Sequence, residues 1–127
     1  MSITLGARSL SRLEGVHPDL VRVVKRAAVI SNIDFTVLEG LRTKARQIEL
    51  KAKGATKTLN SRHLNGHAVD IAPLISGEVT WSWPPYHALA KIIKDAAIAE
   101  NVPITWGGDW QTFKDGPHWE LPWKDYP

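Results

Sequence analysis

The chain of 127 residues contains no cysteine, one methionine and only two each of tyrosine and phenylalanine. Without thiols there can be no disulfides and no thiolate metal sites, so any metal must be held by His, Asp or Glu. The lack of thiols does not fix a compartment, but it suits a protein that finishes in an oxidising one. Long apolar runs are also missing. None is long enough to span a bilayer, and the N-terminus, MSITLGARSLSRLEG, has no signal-peptide core. The expectation is a protein made in the cytosol without a secretion signal of its own and with no stable membrane insertion. No repeat, low-complexity stretch or linker divides the chain, and its length suits one domain over residues 1–127 with no second unit appended. Excess charge is small: 16 Lys and Arg against 13 Asp and Glu give a net charge of +3 and a pI near 9.3. That balance fits an anionic partner such as nucleic acid, an acidic wall polymer or a membrane surface, but on charge alone an ordinary solvated surface is the favoured reading. The dense basic stripe with interleaved aromatics of a nucleic-acid binder is missing, since the basic residues form only a modest cluster from Arg42 to Lys57.

What is present is ordinary for a folded domain, 43% hydrophobic and 23% charged. A domain of this size buries roughly two-thirds of the surface its unfolded chain exposes, enough for a core without staples. The first clear helix starts near Pro18, where Leu20, Val23, Val24 and Ala27 share a face. DFTVLEG reads as a strand. Thr43 is placed to cap a second helix that stops at Gly54, with Ala45, Ile48 and Ala52 as its inner stripe and Glu49 paired with Lys53 outside. HAVDIAPL reads as a strand broken by Pro73, GEVTWSW as a short strand or loop, and PPYHALAKIIKDAAIAEN as the strongest helix. PITW and PHWEL read as two further short strands. Helices and strands mix without a regular alternation, which argues for an α+β fold.

The chemistry concentrates in NSRHLNGHAVD, residues 60–70. His63 and Asp70 are seven positions apart, roughly 23 Å if extended. Two ligands of one zinc lie about 3.3 Å apart, given bonds near 2 Å and tetrahedral angles. The chain must therefore fold back for both to bind one ion, and Asn65-Gly66 permits it. In the strand that follows, Val69 and Ile71 point one way and Ala68 and Asp70 the other. His67 falls opposite Asp70, so a packing or capping role is expected for it. His118, in DGPHWEL, offers a third ligand, and Pro117 is tolerable where it opens a strand. Two His, one Asp and an open fourth position describe a catalytic rather than a structural zinc site. Asp115 sits three residues before His118 on a Gly-Pro turn, within reach of a water at the metal. Glu120, two residues after His118, is its rival as general base.

Ser61-x-His63-x-x-Gly66-x-Ala68-x-Asp70, followed by Asp115-x-x-His118, resembles the M15 family of zinc peptidases. That family includes D-Ala-D-Ala carboxypeptidases and dipeptidases of bacterial cell walls and phage L-alanyl-D-glutamate endopeptidases. In its small size, the Asp at position 115, GLRT ahead of the first motif and WGGDW ahead of the other, the chain is most similar to the phage endolysins. The resemblance implies a small antiparallel sheet flanked by helices, the D-Ala-D-Ala peptidase/hedgehog-like fold. It implies one zinc ion held by His63, Asp70 and His118, with Asp115 as general base. It also implies that Arg42 contacts substrate near the scissile bond, and that Ser61 binds substrate or orients its loop.

The activity so implied is hydrolysis of the L-Ala–D-Glu bond in the peptide stem of peptidoglycan. A chain without an export signal would need a separate pore-forming lysis protein, a holin, and would act as a monomer in the periplasm of a Gram-negative host. Two other readings share the motif: a carboxypeptidase or dipeptidase of the same fold, and a module that keeps the metal but only grips the wall. Of the remaining residues, His17 is expected to start a helix and His87 to lie on the surface. Trp106, Trp110 and Trp119 are candidates to wall a groove for glycan or peptide, although core packing is the expected role for most of them.

Overall fold

A computed structural model describes residues 2–56 and 58–127, so Lys57, the last residue of the basic cluster, lies outside the described residues. The chain runs α1 (Ala7–Arg12), α2 (Pro18–Ile30), β1 (Phe35–Glu39), α3 (Lys44–Ala52), β2 (Ala68–Ile75), β3 (Glu78–Val79), α4 (Trp83–Glu100), β4 (Thr105–Trp106) and β5 (His118–Glu120). Single 3-10 turns cover Arg62–Asn65 and Gly107–Asp109. All strand pairs are antiparallel, in the order β1-β2-β5-β4, with β3 folded onto the end of β2. This is the expected α+β architecture. No helix among the described residues is long and apolar enough to cross a membrane.

Helix α2 begins as its sequence requires. The His17 ring nitrogen Nδ1 accepts from the backbone N–H of Asp19 at 3.0 Å, and Pro18 occupies the first turn, where a missing N–H costs nothing. Its apolar face, Leu20, Val23, Val24, Ala27 and Ala28, is buried, and α2 packs on α4. Arg22 and Arg26 reach across that seam to Glu100. The sheet supplies the other half of the core through Phe35, Val37, Val69, Ile71 and Trp119.

Three elements depart from the sequence reading. Strand β2 is not broken at Pro73. Leu74 N–H bonds Asp34 O on the β1 side, so by alternation Pro73 turns its missing N–H to the opposite side. There β5 has already ended, opposite Asp70. Helix α3 is capped by Thr43 as expected, with Oγ1 accepting from Arg46 N–H at 3.1 Å, and Lys53 pairs with Glu49 at 2.9 Å. Its inner stripe, however, is not Ala45, Ile48 and Ala52, all of which are exposed (Ile48 is 52% exposed). Gln47 is buried instead. Its amide donates to Thr58 O at 2.5 Å and accepts from Arg42 Nη1 at 2.7 Å. The helix is thus docked by polar bonds, for which hydrophobic periodicity gives no signal.

The third departure is α1, a short polar helix that sequence periodicity does not predict. It covers the open edge of β1. Ser9 Oγ accepts from Val37 N–H at 3.0 Å, and Arg12 Nη1 donates to Val37 O at 2.9 Å. Two backbone groups that a free sheet edge would expose are thereby satisfied.

Candidate metal centre and active site

Alternation along two neighbouring strands divides core from chemistry. In the β2–β5 ladder Asp70 lies opposite His118, Val69 opposite Trp119, and Ala68 opposite Glu120. Partners across a ladder share a face, so Asp70, His118, Ala68 and Glu120 share one face, while Val69 and Trp119 enter the core. Strand β1 adds Glu39 through a shift in register between Val37 and Glu39, which sets Glu39 opposite Asp70.

His63 arrives from the 3-10 turn. Ser61 Oγ accepts from His63 N–H at 3.2 Å, and Gly66 ends the turn at φ 76°. A side chain at Gly66 would be doubly refused, since its Cβ would stand 2.3 Å from Gly15 O. His63 is nearly fully buried. Its Nδ1 lies 2.9 Å from Gly40 O, and because a carbonyl only accepts, the proton sits on Nδ1. Nε2 is left facing Asp70 Oδ1 at 3.2 Å.

His118 uses its nitrogens the other way round. Nε2 donates to Glu120 at 2.7 Å, and Nδ1 faces Asp70 Oδ1 at 3.4 Å. The three candidate ligand atoms all lie within 4.8 Å of one another. The separations of 3.2 Å and 3.4 Å about Asp70 match the roughly 3.3 Å between ligands of a tetrahedral ion. Each imidazole also has its remote nitrogen fixed by an oxygen acceptor, which sets the tautomer a metal needs. These residues fit a single divalent ion.

The charges follow from the same contacts. Burial alone would raise Asp70, but hydrogen bonds from His118 and His63 outweigh it and hold the carboxyl well below its usual range. Burial works against a charged His118, yet the bonds to Asp70 and Glu120 prevail and push it up to about 9. Asp115 is raised, first by burial and then by the charge of Asp70. The Asp115 loop is pressed against the 3-10 turn at Gly107. A Cβ there would stand 2.4 Å from Asp115 O and 3.0 Å from His118 Cβ, so only glycine permits the approach.

Arg42 lies beside Asp70, with Nη2 3.8 Å from Oδ2. Its guanidinium is held by Glu39 and by Gln47 and is largely buried, although the residue lines the cleft. Ser61 also lines the cleft, with its hydroxyl committed to the cap of His63. His67 stays out of the cluster, as alternation requires, and packs near His17 and Tyr126. His17 caps α2 and His87 is exposed, both as expected.

The cluster lies in an open cleft of about 1020 Å³, which Asp115, Glu120 and Arg42 also line. Of the expected aromatic wall, Trp106 and Trp119 are buried and stacked on each other at 5.6 Å, and only Trp110 lines the cleft, its ring 5.1 Å from that of His118. Sequence reasoning missed the other aromatics there, Trp81, Phe113 and Trp123. It also missed Arg62, which is buried and donates to Leu121 O at 2.7 Å and Tyr126 O at 2.6 Å, tying down the C-terminal segment.

Three candidate ligands in an open cleft, with a half-buried carboxyl of raised pKa nearby, form the arrangement of a metal-dependent hydrolase. The comparisons with known proteins narrow the class. The family model for the phage L-alanyl-D-glutamate peptidase matches residues 1–121. The L-alanyl-D-glutamate peptidase of Escherichia phage T5 is 32% identical over 91% of this chain and 87% of its own. The peptidoglycan L-alanyl-D-glutamate endopeptidase CwlK of Bacillus subtilis (strain 168) is 32% identical over 77% of this chain and 66% of its own. The crystal structure of the Serratia marcescens L-Ala D-Glu endopeptidase ChiX matches with a TM-score of 0.90 and 49% identity, covering 95% of this chain and 91% of that one. The chain belongs to the phage L-alanyl-D-glutamate peptidase family.

Proposed function

We propose that the protein is a zinc-dependent peptidoglycan endopeptidase that hydrolyses the L-Ala–D-Glu bond of the peptide stem and serves to lyse a bacterial wall. The observation that carries this reading is the convergence of His63, Asp70, His118 and Asp115 on one cleft in a chain of this family. His63 Nε2, an oxygen of Asp70 and His118 Nδ1 would hold the ion. When bound, zinc supplies Lewis acidity, polarising a carbonyl and acidifying a water.

The chain supplies the rest. Asp115 accepts the proton of the attacking water and later delivers it to the leaving amine, and burial raises its pKa toward that task. Glu120 fixes His118 from the remote nitrogen, a positioning role that leaves the base role to Asp115. Arg42 holds Glu39 and flanks Asp70, and at the cleft wall it meets substrate close to the scissile bond. Ser61 acts by orienting the His63 turn.

The residues form one catalytic domain of the D-Ala-D-Ala peptidase/hedgehog-like fold, acting as a monomer. The place of action is the periplasmic face of the wall, reached with the help of a holin.

The test is mass spectrometry of Gram-negative peptidoglycan digested with zinc-loaded protein, beside a chelated control. New fragments ending in lactoyl-L-Ala, with peptides beginning at D-Glu, are the expected result, and release of D-Ala alone would overturn it. Asp115→Ala should abolish cleavage while the fold and bound zinc persist; retained activity would shift the base role to Glu120.

A further inference from the structure

Of the four large aromatic side chains that are exposed among the described residues, three lie at the cleft, and the fourth, Trp83, lines a separate smaller pocket. Trp81 is 68% exposed, Trp123 50% and Phe113 46%, and all three line the cleft that holds the metal cluster, together with Trp110. Large apolar rings left in water are costly unless something covers them in use. Trp81 and Trp123 are also braced. The Trp81 ring lies nearly parallel to that of Tyr86 at 6.5 Å, and the Arg62 guanidinium stacks 4.0 Å from the Trp123 ring. Arg62 is itself fixed by two backbone carbonyls. Rings held in place before a ligand arrives lose little entropy on binding it.

We infer that these rings form a subsite for the sugar of the glycan strand, beside the peptide that is cut. The inference rests on the reading of the protein as an L-Ala–D-Glu endopeptidase. The stem peptide offers small or charged side chains, which need no aromatic wall. A pyranose ring, by contrast, presents a face of C–H groups that packs on an indole while its hydroxyls stay in water. The position of the scissile bond brings the sugar here. Only a lactoyl group and L-Ala separate the muramic acid ring from the scissile carbonyl, about 7 Å at roughly 3.5 Å per chain unit. Trp110, whose ring is 5.1 Å from that of His118, falls within that reach. The cleft of about 1020 Å³ is at the upper end for a small-molecule site and leaves room for a sugar beside the peptide.

The experiment compares two substrates with the same scissile bond: the disaccharide tetrapeptide and a free peptide that keeps the lactoyl cap but lacks the sugar, the N-lactoyl tetrapeptide. The wild-type protein should show a lower KM for the sugar-bearing substrate at similar kcat. Trp81→Ala and Trp123→Ala should raise that KM about tenfold and leave hydrolysis of the free peptide unchanged, the pattern of lost ground-state binding. Trp81→Phe should retain most of the preference. Zinc content and urea midpoints equal to wild type would exclude a general effect on folding. Equal kcat/KM for the two substrates would overturn the sugar subsite while leaving the endopeptidase reading intact. A preference that survives both alanine variants would overturn the assignment to Trp81 and Trp123, the two braced rings. Failure of the wild-type protein to cleave either substrate would overturn the endopeptidase reading itself, and the subsite with it.

Discussion

Raising the pH from 6.5 to 9.5 should destabilise the metal-free protein and leave the zinc-loaded protein nearly unaffected. Without metal, Asp70 Oδ1 faces both imidazoles, and Glu120 accepts from the far nitrogen of His118. Burial opposes a charged His118, but the two carboxylates overcome it and push the pKa to about 9, against an ordinary value of 6.5. The folded state therefore binds more protons than the unfolded state between those values. The stabilisation is fully present below pH 6.5 and is lost as pH rises through 9. Its size, from the gap between the two values, is about 3 kcal/mol. That is a large share of a typical stability of about 5–15 kcal/mol.

Other groups leave the window above about pH 7.5 clear: burial lowers His67, whose opposing slope fades above its ordinary value of 6.5. Asp70 is shifted down, so its contribution is present above its ordinary pKa of 3.8 and is lost only as the solution becomes strongly acidic. Tyr86, through burial, and Tyr126, through its bond to Asp19, are pushed up to about 12, so their losses begin above pH 10. In the zinc-loaded protein the ion takes the place of the His118 proton, and its affinity rises with pH as that proton is released. Urea unfolding of chelated and zinc-loaded protein across this range measures both slopes. His118→Ala should remove the slope of the chelated protein. Stability of the chelated wild type that is flat or rising between about pH 7.5 and 9 would refute the account of His118.

Glu120→Gln keeps an acceptor for His118 Nε2–H but removes the charge. It should weaken zinc binding by about 10- to 100-fold, with activity restored at saturating zinc; complete loss at full zinc occupancy would make Glu120 the base instead. Gly66→Ala meets both the positive φ and the Gly15 carbonyl, and should cost about 1–3 kcal/mol by urea unfolding together with a loss of zinc affinity, because the His63 turn cannot close. A Gly66→Ala protein with wild-type stability and zinc affinity would show that the turn adapts.

The convergence of the three candidate metal ligands was legible because it depends on local rules. Asn65-Gly66 announces the turn, and strand alternation assigns Asp70 to one face and His67 to the other. The same rule was available for the aromatics. Trp119 directly follows His118 on a strand and must face away from it, into the core, so nearness in sequence was a poor guide to the cleft wall. Trp81 and Trp123 reach the cleft through long-range folding, for which no local period exists. Arg42 lies in the cleft beside Asp70, and its grip on Glu39 depends on a register shift in β1 that only the pairing with β2 reveals. Gln47 was missed for a different reason. Sequence patterning looks for buried apolar residues, and here a polar side chain with satisfied bonds takes the inner position of α3.

The division of β2 and β5 into two faces couples the candidate metal site to the stability of the fold. Every cleft residue on these strands has a core residue as its chain neighbour: Asp70 lies between Val69 and Ile71, and Trp119 lies between His118 and Glu120. The apolar burial that fixes the register of β5 on β2 therefore also fixes the separation of the ligand atoms. A slip by one residue would turn His118 into the core and Trp119 into the cleft. Ala68 completes the arrangement. It lies opposite Glu120, and its small side chain leaves that carboxylate room to stay beside His118. His63 is the one candidate ligand outside the sheet, and it is the one that needs separate fixing. The Ser61 cap, the Gly40 carbonyl and the bond from Arg42 N–H to His63 O supply it. The site is thus preorganised by two devices, strand register for Asp70 and His118 and a braced turn for His63.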